Sequence, residues 1–298
     1  MQVIIGAGPI GTATAVLLAE TGVPVRQITR SGSGPDHPLV ERIAADASDP
    51  GLLTPLVEGA ETLYNCAAPP YDRWTTAFPP LAASVLTAVQ RSGAGYVMLG
   101  NVYGYGPSDV PYTEDTPLRP SSVKGRLRAS LWTDALATGH PVTEVRASDY
   151  LGPGAFSLYA LLAIPAVLAG DPVLCPGDPD VPHSWSYTRD VARTLIAAGA
   201  SPASWGRAWH VPSVSDLPAR ALSARLAALA GAPAPVFRPF PPDGYTDPVM
   251  AEVPEMLYLY DRPSLLDSTA TEQALGLKPT PLDDVLRLHL RPRIREWS

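Results

Sequence analysis

Three glycines within six residues, Gly6-Ala7-Gly8-Pro9-Ile10-Gly11, follow the apolar run Val3-Ile4-Ile5 and precede an Ala- and Leu-rich stretch over residues 12–20. Between a strand and a helix, this string can hold a dinucleotide. The first glycine permits a tight turn, the second lets the backbone approach a pyrophosphate, and the third lets helix and strand pack closely. The helix start then turns its free N–H groups toward the phosphates. A second chemical candidate is the pair Lys124 and Arg128, which lie one turn apart on the same helix face. The chain has 22 basic residues, of which only Lys124 and Lys278 are lysine. Lysine can lose its proton when desolvated or crowded by positive charge, whereas arginine stays charged and can only position phosphate or ribose.

These residues need a scaffold, and the first half of the chain supplies its pattern. Strands are expected over residues 2–5, 23–28, 41–45, 62–66, 96–99 and 142–146, and helices over 12–20, 52–58, 81–92 and 126–138. The alternation predicts an α/β fold, a Rossmann-type doubly wound parallel sheet with helices on both faces and ligands at the carboxyl ends of the strands. Beyond residue 151 the rhythm breaks into a smaller C-terminal substrate lobe. A helix over 155–169 is interrupted by Pro165, further helices are expected over 190–198, 219–230 and 282–290, and residues 232–264 are proline-rich with scattered aromatics. The expected division is a dinucleotide-binding unit over 1–150 to which 184–211 returns, a substrate lobe over 151–183 and 212–281, and a C-terminal helix and tail over 282–298.

Composition narrows the function classes. A net charge of −7 argues against a broad nucleic-acid footprint. No apolar run is long enough for a bilayer, and with a strand expected from residue 2 no signal peptide is expected. Two cysteines, Cys66 and Cys175, make no disulfide framework and suit a reducing cytoplasm; Cys66, at an apolar strand end, reads as core rather than nucleophile. No metal-ligand set is expected.

Several further segments carry a family resemblance. Asn101-Val102-Tyr103-Gly104, Glu114-Asp115-Thr116-Pro117, the run Arg146-Ala147-Ser148-Asp149-Tyr150-Leu151-Gly152-Pro153-Gly154, the run from His183 to Ala192, and Leu275-Gly276-Leu277-Lys278-Pro279 occur in order after the glycine loop. Together they make the chain resemble the extended short-chain dehydrogenase/reductases of the epimerase/dehydratase group over nearly its whole length. The resemblance implies a Ser or Thr and a Tyr-x-x-x-Lys pair, the tyrosine moving a proton and the lysine lowering its pKa and holding the ribose. Lined up through Val102-Tyr103-Gly104, those three positions fall on Leu99, Lys124 and Arg128, so the triad is degenerate.

The altered site still offers chemistry. Lys124 in the tyrosine's place is the expected proton donor and a contact to the cofactor ribose, with Arg128 beside it; its plainer alternative is a basic residue at a surface helix start. Asn101 offers an amide in place of the missing hydroxyl, and Tyr103 is either a proton donor or strand-end packing. Asp149 stands where the family has a substrate-contacting asparagine, unless it pairs with Lys124 or Arg146, and His183 stands where an arginine often binds a nucleotide-sugar phosphate. Both changes remove positive charge, which disfavours a diphosphate-sugar and favours a neutral or amine-bearing small substrate. Tyr71, Trp74, Trp185 and Tyr187 form an expected aromatic wall or, equally, lobe packing.

Cofactor type is read at the end of the second strand, which runs Thr29-Arg30-Ser31 without the acid that NAD-preferring members place there. Arg30 and Ser31 can hold a 2′-phosphate, so NADP is expected ahead of NAD, with Asp46 near the adenine and Ala67 after the fourth strand completing the cofactor set. The expected function is an NADP-dependent oxidoreductase or epimerase-like enzyme of a small organic substrate. The alternatives are a non-redox cyclase, isomerase or lyase on the same scaffold, and a non-catalytic NADP-binding sensor. The resemblance further implies a homodimer through the helices over 81–92 and 126–138.

Overall fold

The computed structural model describes residues 1–290; the tail expected beyond residue 290 lies outside them. Strands and helices alternate as β1 (Gln2–Ile5), α1 (Pro9–Glu20), β2 (Val25–Thr29), β3 (Val40–Ala44), α2 (Pro50–Val57), β4 (Thr62–Asn65), α3 (Trp74–Ser92), β5 (Gly95–Asn101), α4 (Val123–Ala137) and β6 (Val142–Ala147). There follow β7 (Asp149–Leu151), α5 (Ile164–Ala169), β8 (Val173–Cys175), β9 (Trp185–Tyr187), α6 (Thr188–Ala200), β10 (Ala208–His210), α7 (Ala219–Ala230), β11 (Phe237–Pro239), α8 (Thr269–Leu275) and α9 (Leu282–Arg287).

Seven strands form one sheet in the order β10-β6-β5-β4-β1-β2-β3, and every pair in it is parallel. All residues of β1, β4 and β6 are buried, as expected for central strands covered on both faces. On one face Val3, Ile5 and Leu63 pack with Leu53, Val85 and Trp132 of α2, α3 and α4; on the other, Ile4, Val97 and Val145 pack with Leu18 and Leu195 of α1 and α6. The fold is thus the doubly wound Rossmann-type α/β architecture, and the order reverses between β1 and β4, which opens a crevice at the strands' carboxyl ends.

The smaller lobe has a core of its own, built from residues such as Leu151, Tyr159, Val173, Trp185, Leu222 and Val285. Two short parallel pairs, β7 with β9 and β8 with β11, organise it. Neither pair was legible as such in the sequence. The helix expected over 155–169 starts later, at Tyr159, where a π-helical stretch Tyr159–Ala163 runs directly into α5 with Pro165 in its first turn. The helix expected from residue 81 begins at Trp74. Pro79 and Pro80 lie inside it on the exposed side, while Trp74, Phe78 and Leu81 bury one stripe. That burial outweighs the backbone bonds the prolines forgo.

A buried polar chain fastens the β6–β10 edge to the loops. Arg146 Nε donates to Glu144 at 2.6 Å and its Nη1 donates to the Tyr105 hydroxyl at 2.8 Å. Tyr105 meets His210 Nε2 at 2.6 Å, and His210 Nδ1 lies 2.8 Å from the Asp267 carbonyl oxygen. A carbonyl can only accept, so Nδ1 carries the proton and Nε2 accepts from the tyrosine. Burial pulls the His210 pKa down, in keeping with a neutral ring.

The glycine loop sets the helix–strand distance. A Cβ on Gly11 would overlap the Gly6 carbonyl oxygen, whereas a Cβ on Gly8 would meet nothing within 4 Å. Gly11→Ala should therefore destabilise the fold by about 1–3 kcal/mol, the range for overpacking a close contact. Gly8→Ala should leave stability unchanged. Urea-unfolding midpoints of the two variants check this, and equal midpoints refute it.

Candidate active site

One cleft of about 890 Å³ runs along the crevice from the glycine loop to the small lobe. Its first half is made of strand ends. Gly6 to Ile10 follow β1, Thr29 to Ser31 close β2, Asp46 follows β3 and Ala67 follows β4; all line the cleft. Gly6 has φ +97°, and a Cβ there would lie 3.0 Å from the Ala67 nitrogen, so this turn belongs to glycine on two counts. Gly8 caps α1 with Pro9 at the first helical position, leaving the Ile10 and Gly11 amides without i−4 partners. Open space at Gly8 beside those amides fits a pyrophosphate. Gly11 itself does not line the cleft; it works from behind, by letting α1 close on Gly6.

Arg30 lines the cleft and is exposed, with no hydrogen bond or ion pair among the described residues. Asp46 accepts from the Ser48 amide at 2.9 Å and hydroxyl at 2.7 Å, and these bonds, with a smaller pull from Arg30, lower its pKa. Cys66 also lines the cleft, but burial pushes its thiol up to about 12, which leaves it protonated and unreactive.

The inner half is aromatic. The Asn101 side chain accepts from the Tyr103 amide at 3.1 Å and caps the short turn Val102–Tyr105, placing Tyr103 in the cleft. Asn101 is thus partly committed to its own turn, while its amide nitrogen has no partner among the described residues. The Tyr71 and Tyr103 hydroxyls are paired, and burial raises both phenols above their ordinary range; they are protonated donors at neutral pH. Trp74 lies edge-on to Tyr71, with ring centroids 5.1 Å apart. Arg128 lies against Trp74 and Phe78 at 4.5 and 4.6 Å, and its Nη1 donates to the Leu99 carbonyl at 3.2 Å. Leu99 and Arg128 both line the cleft.

Lys124 departs from expectation. Ser122 caps α4 through the Gly125 amide, which puts Lys124 in the first turn. Its side chain is 3% exposed, so the surface-residue alternative does not hold, yet it does not line the cleft. Its amine is held by Glu252 and, at 3.1 Å, by Glu255. It lies over the Tyr71 ring at 4.5 Å, so Tyr71 stands between it and the open space. Two carboxylates from the single turns Met250–Glu252 and Pro254–Leu259 draw the ammonium away from the expected reacting position.

Asp149 lines the cleft at the start of β7 and pairs with neither Lys124 nor Arg146. It accepts from the Tyr260 hydroxyl at 2.9 Å and lies 3.4 Å from His183 Nε2. His183 stays behind Asp149, stacked on Tyr260 with centroids 5.6 Å apart, and does not reach the cleft. Trp185 and Tyr187 are also absent from the wall. Trp185 donates to the Leu217 carbonyl at 2.8 Å and packs on Tyr159 within the lobe core. β9 pairs with β7, and that pairing directs its aromatics into the lobe rather than the crevice. Tyr260, Met250, Val253 and Met256 supply the wall in their place. They come from the proline-rich stretch, where neither a period of two nor one of 3.6 marks an inward face.

Comparison with known proteins bears on this geometry. The family model described as NAD dependent epimerase/dehydratase matches residues 3–211. A double mutant of DesIV, a dTDP-glucose 4,6-dehydratase from Streptomyces venezuelae with NAD and DAU bound, superimposes with a TM-score of 0.79 at 21% identity, covering 98% of each chain. WbmH of Bordetella bronchiseptica in complex with NAD+ gives 0.75 at 22% identity over 96% of this chain and 95% of its own. UDP-glucose 4-epimerase of Thermotoga maritima with UDP-glucose gives 0.77 at 19% identity over 97% of each. No curated protein matches the chain. The structural likenesses show a shared fold, and with the family model spanning most of its length, the chain belongs to the NAD-dependent epimerase/dehydratase family.

Proposed function

We propose that this protein is an NADP-dependent oxidoreductase or epimerase-like enzyme of a small, non-nucleotide organic substrate. The observation that carries the reading is a single cleft that joins a dinucleotide loop to an aromatic chamber. When bound, the nicotinamide would supply hydride chemistry. Gly6 to Ile10 would hold its pyrophosphate. Arg30 and Ser31, at a strand end that lacks an acid, would hold a 2′-phosphate. Arg128, charged and fixed at the cleft floor, positions rather than titrates.

The chamber disfavours a sugar nucleotide. Its lobe-side wall offers Leu158, Leu161, Val249, Met250 and Val253, where a diphosphate would need cations. Proton donation falls to Tyr103, paired with Tyr71, because both residues line the cleft and keep their protons. Lys124 acts as a fixed charge behind Tyr71. A non-redox reaction on the same scaffold is the second reading. Leu99, without a hydroxyl at the strand end, favours it, and a nucleotide that copurifies in one fixed redox state would decide for it. As an assembly we propose a homodimer through the outer faces of α3 and α4, the default two-fold arrangement.

Calorimetric titration with NADPH and NADH tests the cofactor reading. Gly8→Val fills the open space and should abolish binding of both while the protein stays folded. Arg30→Ala should weaken NADPH about tenfold to a hundredfold, the worth of one charge-assisted hydrogen bond at about 1.5–3 kcal/mol, and spare NADH. Undiminished binding by Gly8→Val removes the reading; equal weakening of both cofactors by Arg30→Ala removes the NADP preference.

Lys124→Met should leave cofactor affinity within a few-fold. It should speed amide hydrogen exchange in residues 250–259, because Glu252 and Glu255 lose their cation. The expected local loss is about 1.5–3 kcal/mol. Unchanged exchange together with lost turnover would instead restore Lys124 as the proton donor. Light scattering at micromolar concentration should give twice the monomer mass, and a monomer there excludes the dimer.

A further inference from the structure

The substrate end of the cleft holds one acidic side chain, Asp149, in a lining that also includes the rings of Tyr71, Trp74, Tyr103, Tyr150 and Tyr260. Both protein contacts to its carboxylate fall on the same oxygen. Tyr260 donates to Oδ2, and His183 Nε2 approaches Oδ2. Oδ1 has no hydrogen-bond partner among the described residues, and the side chain is 13% exposed, at the cleft wall.

No lysine or arginine is paired with this carboxylate among the described residues; Arg73, also in the cleft lining, is largely exposed beside Asp72, and the buried cations have other partners. Lys124 is held by Glu252 and Glu255, and Arg146 by Glu144. Arg128 is bonded to the Leu99 carbonyl and lies against Trp74 and Phe78. A mostly buried carboxylate without a fixed cation is costly unless something pairs with it. Its surroundings offer hydroxyl donors and ring faces, and ring faces attract cations. The molecule already contains one such arrangement, since the Lys124 ammonium lies over the Tyr71 ring.

We propose that Asp149 recognises a positively charged amine on the substrate, an ammonium carried on a compact apolar or aromatic body. The ammonium takes Oδ1. Tyr260 holds Oδ2 and fixes the plane of the carboxylate, with His183 behind it. The apolar body lies against the Tyr103 side of the chamber and the Met250 and Val253 wall. A sugar diphosphate is repelled by the same carboxylate, so one residue both selects and rejects. The inference rests on the chamber being a substrate site, as proposed above, and concerns recognition rather than the chemical step.

The test uses three probes of similar body on the full-length protein: 2-phenylethylamine, 2-phenylethanol and 3-phenylpropanoate. Binding is measured by calorimetry with and without NADP+, beside a titration of NADP+ itself. The wild-type protein should bind the amine at least about tenfold more tightly than the alcohol, as expected for a charge-assisted contact, and should bind the carboxylate least. Asp149→Asn keeps an oxygen for Tyr260 and should erase the preference for the amine while NADP+ affinity stays within a few-fold. Equal binding of amine and alcohol by the wild type, tighter binding of the carboxylate, no amine binding at millimolar concentration, or a preference that survives Asp149→Asn would each overturn the inference. The wild-type comparison needs no variant to fold. Failure of NADP+ to bind would count against the cofactor reading, and the amine comparison without NADP+ would still read this one.

Discussion

The absence of a side chain at residue 11 governs the placement of the cleft's cofactor half. Because Gly11 has no Cβ, α1 rests directly on the Gly6 carbonyl, and the helix start comes down to the level of the strand ends. β1 lies between β4 and β2, so the chain leaves it in both directions and a crevice remains above it. The ends of β2, β3, β4 and β5 open into that crevice because all of the strands run the same way. A helix held farther off would leave the amides of α1 too distant to share one phosphate site with Gly8.

Lys124 and Arg128 show how residue type, rather than position alone, sets the fate of a charge. They share a helix face, and both are buried. The guanidinium is flat and weakly hydrated, and it settles against two aromatic rings with a carbonyl as its hydrogen-bond acceptor. The ammonium is compact and strongly hydrated, and it finds two carboxylates across the lobe junction. Exchange of the two residues would leave a planar cation facing the glutamates and a point charge set against two rings.

The half of the molecule that follows regular periodicity was legible from sequence. Glycines at 6, 8 and 11, continuous apolar strands and Ala/Leu helices defined the parallel sheet and the cofactor end of the crevice, because each pattern has a direct geometric cause. Trp74 escaped as a helix residue, since Pro79 and Pro80 stand inside the helix where prolines are disfavoured, and only the buried stripe through Trp74, Phe78 and Leu81 shows why the helix extends further. Lys124 stood out by its rarity, but its partners lie more than a hundred residues away in a proline-rich segment, and long-range ion pairs leave no periodic trace. For the same reason Trp185 and Tyr187 were assigned to the wall when Tyr260 and Met250 occupy it.

The ties to Glu252 and Glu255 also impose an order in time. By the end of β10 at His210, all seven strands of the main sheet have been synthesised, and the cofactor end of the crevice has every residue it uses except those of the small lobe. The opposing wall, Val249 to Tyr260, is made later. A chain growing from its N-terminus, and folding as its units emerge, completes a nucleotide crevice before a substrate chamber. Until residues 252 and 255 have been added, Lys124 has neither carboxylate, and Tyr71 and Tyr103 face no wall.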